Sequence, residues 1–117
     1  IELKKINASF NSLKVGFLRN YKELIYLDLK EGGEQLRELL LEIRKNVGEK
    51  DSSIFMPHLT IGRVSKDLSK EEYRNICIEV ARVSKQLKLE KIQFTLDTLY
   101  LIEGKDGSYT FKTKFEA

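Results

Sequence analysis

At 117 residues, with 41% hydrophobic and 33% charged side chains, the chain has the size and balance of one folded domain, which sets aside disordered and membrane-spanning classes. Lys plus Arg exceed Asp plus Glu by 21 to 18, and this surplus of +3 admits a phosphate-bearing ligand without demanding nucleic acid, because acids and bases are interleaved. The single cysteine, Cys77, excludes an internal disulfide, and with no long apolar run or signal-like start the expected compartment is the cytoplasm.

The first predicted element is a strand within Ile1 to Phe10, with apolar residues at Leu3, Ile6, Ala8 and Phe10. Asn11-Ser12 reads as a turn, and Leu13, Val15 and Phe17 alternate as a second strand. Arg19-Asn20 reads as another turn. Leu24 to Leu29 is a third strand, rich in β-favouring side chains and expected to be buried on both faces at its centre. Glu31-Gly32-Gly33 breaks it. From Glu34 the spacing of Leu36, Leu39, Leu40, Ile43 and Val47 predicts an amphipathic helix ending near Gly48. After a loop over Glu49 to Ser53, Ile54 to Val64 reads as a strand interrupted by Pro57. Ser69 and Glu72 form a capping-box pair that opens a second helix, with Tyr73, Ile76, Cys77, Val80, Val83 and Leu87 on its apolar face. Ile92 to Ile102 and the segment carrying Tyr109, Phe111 and Phe115 make a hairpin about Lys105-Asp106-Gly107. The order β-β-β-α-β-α-β-β predicts a single α+β domain over residues 1–117, its helices on one face of an antiparallel or mixed sheet and the other face free to form a groove.

His58 is the only histidine, so acid–base work near neutral pH falls to it. Thr60 lies two residues on, which in a strand puts both side chains on one face, with Leu59 and Ile61 turned into the core and Gly62 leaving room for a ligand. An imidazole can exchange a proton, and a threonine hydroxyl can donate to a phosphate oxygen. Taken alone, His-x-Thr is a weak motif, and a strand-end histidine satisfied by backbone is the better reading of it. Arg63 is a secondary candidate for phosphate. Strict alternation puts it on the Leu59 face, where a structural arginine is the simpler reading. Tyr100 and Tyr109 could stack on a base, although cross-strand packing is the simpler expectation. Cys77, on the apolar stripe of the second helix, reads as an inert thiol, and the Lys/Arg-rich helix segments as solvated faces.

The run Phe55-Met56-Pro57-His58-Leu59-Thr60-Ile61-Gly62-Arg63 resembles the second signature of the two-histidine phosphoesterase superfamily, which includes the 2′-5′ RNA ligase-like (LigT-like) proteins. That signature has an apolar residue, Pro, His, an apolar residue, Thr or Ser, an apolar residue, a small residue and often Arg. The element order and the closing hairpin from Leu99 to Tyr109 are similar as well, so the resemblance covers nearly the whole chain. It implies two pseudo-symmetric lobes, each with a His-x-Thr/Ser strand facing the other across a cleft. Only one such motif is present here. The sequence starts at Ile1 and its one methionine is Met56, so the expectation is the C-terminal half of such a protein, the first motif lying on a missing N-terminal half.

The implied chemistry is paired-histidine acid/base catalysis on RNA ends bearing 2′,3′-cyclic phosphate, on cyclic nucleotides or on 2′-5′ phosphodiester bonds. His58 and Thr60 would supply half of it, with no metal and no cofactor. Little or no turnover is then expected from this chain alone. Two other readings stay open: a non-catalytic RNA- or nucleotide-binding module of the same fold, and a structural domain in which His58 is satisfied by hydrogen bonds.

Overall fold

Two residues read as a turn in the sequence, Asn11 and Ser12, are in fact a bulge inside one long strand. The computed structural model describes residues 3–17, 21–46, 48 and 56–117. β1 runs unbroken over Ile6–Phe17 and pairs antiparallel with β2, Tyr21–Glu31. Phe10 lies opposite Leu29 and Leu13 opposite Leu27, so Asn11 and Ser12 together face the single residue Asp28. The Asp28 carboxylate holds them there, its Oδ1 accepting from the Ser12 N–H at 2.8 Å and the Ser12 hydroxyl at 3.1 Å. A bulged pair needs an outside acceptor for the amide it withdraws from the ladder, and Asp28 is that acceptor. The turn predicted at Arg19-Asn20, Val47 at the end of the first predicted helix, and residues 49–55 of the next loop and strand lie outside the described residues.

Gly32 ends β2 with φ +90°, and a Cβ there would stand 2.8 Å from the Asn7 carbonyl oxygen, so both its conformation and the nearby backbone require glycine. Helix α1 follows over Gly33–Asn46, with Leu36, Leu39, Leu40 and Ile43 half-buried as their spacing predicts. β3 is His58–Arg63, entered through the buried Pro57. The capping box is complete at α2, Lys70–Gln86: Ser69 Oγ accepts from the Glu72 N–H, and Glu72 accepts from the Ser69 N–H, each at 3.1 Å. A 3-10 turn at Leu89–Lys91 leads into β4, Gln93–Leu96.

The single strand expected from Ile92 to Ile102 is split at Asp97. β4 pairs with Ile6–Ser9 of β1, whereas β5, Thr98–Lys105, pairs with β6, Ser108–Glu116. Asp106 and Gly107 form the two-residue connection, with φ of 52° and 78°, the paired left-handed conformation that a tight hairpin requires. Two sheets result, a four-stranded antiparallel one in the order β3-β2-β1-β4 and the β5-β6 ribbon. The architecture is α+β. Among the described residues, no helix is long and apolar enough to cross a membrane.

The core sits around the central strands β1 and β2. Phe10, Leu27 and Leu89 are buried together, with Leu13, Leu29 and Phe94 against them, and the Phe10 and Phe94 rings lie 5.1 Å apart. A second buried cluster is Phe17, Leu24 and Tyr26. α1 packs against β1 and β2 and α2 against β1, which leaves β3 at the sheet edge. Leu59 and Ile61, expected in the core, are therefore 49% and 57% exposed. Tyr100 packs on Phe111 across the ribbon at 5.1 Å, as cross-strand pairing predicts, and Tyr109 lies over Gly104.

Candidate functional site

β3 delivers His58 and Thr60 to one face of the sheet by register. Asp28 lies opposite His58 and Tyr26 opposite Thr60 on the neighbouring β2, and residues two apart on each strand share a face. Past Thr60 the alternation breaks. Ile25 pairs with Gly62 while Tyr26 pairs with Thr60, so Ile61 is an extra residue, a second bulge. Gly62 consequently leaves the His58 file, where alternation had put it, and Arg63 enters that file opposite Leu24. A Cβ on Gly62 would meet nothing within 4 Å, but by register that open space is not on the His58 face where it was expected. The Arg63 guanidinium donates to Glu23 Oε1 at 3.0 Å, an ion pair that ties the end of β3 to β2.

The His58 imidazole is held by three groups. Its Nδ1 lies 2.8 Å from the Met56 carbonyl oxygen. A carbonyl only accepts, so in the neutral ring Nδ1 carries the proton and Nε2 keeps the lone pair. Phe17 supports the ring from one side, centroid to centroid 4.1 Å with 35° between planes, and Tyr26 meets it edge-on at 5.8 Å. Phe17 and Tyr26 are buried while His58 is exposed, so a rigid aromatic floor carries an accessible imidazole. Thr60 is exposed as well, and among the described residues its hydroxyl has no hydrogen-bond partner. An imidazole nitrogen with its lone pair free and, among the described residues, an unpartnered hydroxyl thus share one face of one strand.

Asp28 is the carboxylate that register places opposite His58, yet its oxygens are committed elsewhere. Besides Ser12 it pairs with Lys14 Nζ at 2.8 Å and receives a long contact from Asn11 Nδ2 at 3.5 Å. Burial pushes the Asp28 pKa up, but the hydrogen bonds from Lys14 and Ser12 and the Lys14 charge outweigh it, so the pKa lies below the ordinary 3.8. The same pair raises the Lys14 pKa above 10.5, chiefly through the hydrogen bond to Asp28.

A depressed carboxyl pKa stabilises the fold above its unfolded value and stops doing so as pH falls through the folded one. Asp28→Ala is therefore expected to cost about 2 kcal/mol near neutral pH, from the charged hydrogen bonds lost. The gap from the unsubstituted protein should close as pH drops below 3.8. Urea unfolding at several pH values measures this, and a gap constant with pH would contradict it.

Phe17, Tyr26 and the Met56 carbonyl are the parts of this site that sequence reasoning misses. Phe17 and His58 are 41 positions apart, and nothing local marks the pairing. The Met56 carbonyl is two residues before the histidine and could be suspected from the strand-entry proline between them. Among the described residues, no three His, Cys, Asp or Glu side chains gather into a metal-binding group.

No curated protein and no solved structure matches the chain. Residues 2–108 match the family model of the 2′-5′ RNA ligase superfamily, a span that contains every strand and helix through β5 together with His58 and Thr60. By that match, the chain belongs to the 2′-5′ RNA ligase superfamily.

Proposed function

We propose that the domain is one half of a bilobal phosphoesterase that opens 2′,3′-cyclic phosphates or cleaves 2′-5′ phosphodiester bonds on RNA. His58 is one of its two acid–base groups. The observation that carries this reading is the tautomer of His58: Nδ1 is engaged by the Met56 carbonyl, so Nε2 is the atom left for proton transfer, on the same strand face as a Thr60 hydroxyl that has no partner among the described residues.

In one direction Nε2 takes the proton of an attacking water or hydroxyl, and in the other the imidazolium returns it to the departing oxygen. Thr60 donates to a non-bridging phosphate oxygen as charge accumulates on it. The second histidine lies on polypeptide outside these 117 residues, since the chain has one. Chemistry on the substrate then takes place only where that second half is present.

The assay is hydrolysis of a 2′,3′-cyclic phosphate on an oligoribonucleotide by the protein containing both histidines. Thr60→Val keeps the strand's shape and removes the hydroxyl, and it should lower kcat by about 10²-fold with the fold unchanged. An unchanged kcat would remove Thr60 from the mechanism. Absence of any product from the unsubstituted protein would favour the non-catalytic RNA-binding reading, which the single histidine of this chain supports.

A further inference from the structure

Beyond Arg63, at the far end of β3, lies a recess of about 560 Å³. Its walls include Lys22 from β2, Ser65, Lys66 and Ser69 from the segment leading into α2, and Lys70, the first residue of α2. Lys22 lies on β2 two residues before Leu24, the residue opposite Arg63. We propose that this lysine recess is a second phosphate site, which takes a backbone phosphate of the RNA strand whose reactive end lies at His58. The inference rests on the phosphoesterase reading above and makes the substrate an oligonucleotide rather than a mononucleotide.

Charge is the first support. Among the described residues, none of the three lysines has a carboxylate partner. The one carboxylate in the wall, Glu23, is already neutralised by Arg63 at 3.0 Å. Three lysines therefore line one concave surface whose single carboxylate is already paired, and a concave basic surface focuses positive potential.

Donors are the second support. Ser65 Oγ accepts from the Asp67 N–H and Ser69 Oγ from the Glu72 N–H, so in both cases the hydroxyl proton is left to donate. The start of α2 is not the attraction, because Glu72 already caps it and Glu71 adds a negative charge there. The recess binds through side chains.

Distance is the third support. Val64 is six positions beyond His58, about 20 Å of strand at ~3.3 Å per residue. At a stacked rise of ~3.4 Å per nucleotide that is roughly six nucleotides, and fewer if the strand is extended. A mononucleotide at His58 cannot reach the lysines. An oligonucleotide can, and its affinity then carries a salt-sensitive contribution that the mononucleotide lacks.

The test compares Lys22→Gln/Lys66→Gln/Lys70→Gln with the unsubstituted protein, both containing the second histidine, on two substrates. One is a nucleoside 2′,3′-cyclic phosphate, and the other an oligoribonucleotide of about eight residues with the same end. All three lysines are exposed, and the hydrogen bond that Tyr73 makes at Lys22 goes to its backbone carbonyl, so the variant keeps the fold. The expected result is a KM about tenfold higher for the oligonucleotide, with the mononucleotide unaffected. The salt slope of oligonucleotide binding should fall by about 0.7. The Lys→Arg triple variant should restore both.

Equal losses on the two substrates, or no loss on either, would overturn the recess as a phosphate site while leaving His58 chemistry standing. If the unsubstituted protein cleaves neither substrate, the phosphoesterase reading fails. Binding of the labelled oligonucleotide then decides the recess separately, and its persistence unchanged in the Gln variant would overturn it.

Discussion

His58→Ala should reduce hydrolysis of a 2′,3′-cyclic phosphate by about 10²- to 10⁴-fold, the range lost with a general acid–base group. Both kcat and kcat/KM should fall, because proton transfer is made in the transition state and not in the bound ground state. His58 is exposed and lies on its aromatic floor without filling a cavity, so the substitution leaves circular dichroism and the unfolding midpoint close to those of the parent. Retained hydrolysis at the parent rate would remove His58 from the chemistry. A variant that loses turnover but binds labelled RNA as before separates the enzyme from the binding module, since in a pure binding module there is no turnover to lose. If His58 serves only structure, the stability falls and ligand behaviour does not change.

Phe17→Ala carries the largest expected effect on stability, about 3 kcal/mol, as for a buried aromatic removed from a packed cluster. Phe17 is 8% exposed and shares its cluster with Leu24 and Tyr26. It also supports the imidazole at 4.1 Å, so its loss acts on the site in a second way. Phe17→Leu separates the two. Leucine fills much of the volume and should cost about 1 kcal/mol, yet it offers no ring face to the imidazole. With Leu the fold should survive while kcat falls and KM holds, the pattern of a residue that positions the base without touching substrate. Full activity in the leucine variant, measured with the folded protein at saturating substrate, would reduce Phe17 to packing alone.

The features that could be read from the sequence are those decided within a few residues. The capping box of Ser69 and Glu72 and the Asp106-Gly107 connection are local hydrogen-bond and backbone problems with one good solution each, and both form as predicted. The apolar stripes of the two helices are legible for the same reason, as is the shared face of His58 and Thr60. Asn11-Ser12 carries true turn chemistry, but Asp28, 16 residues beyond Ser12, accepts from that backbone and turns the break into a bulge. Ile92 to Ile102 has one continuous β pattern, and its division at Asp97 arises because its two ends pair with different strands. Leu59 and Ile61 look like core residues on any hydropathy count. Their exposure follows from β3 being an edge strand while the helices pack chiefly on β1 and β2, a property of topology rather than composition.

The extra residue at Ile61 divides β3 into two stretches that can vary independently. Upstream of it, His58 to Thr60 is bound to its neighbour in fixed phase, and any slip would carry His58 to the wrong side. Downstream, gaining or losing a single residue would rotate Arg63 and the approach to the lysine recess while His58 and Thr60 stay in place. In a lineage of such domains, what the far end of β3 contacts can therefore vary without moving His58 and Thr60, because the strand contains a joint between them.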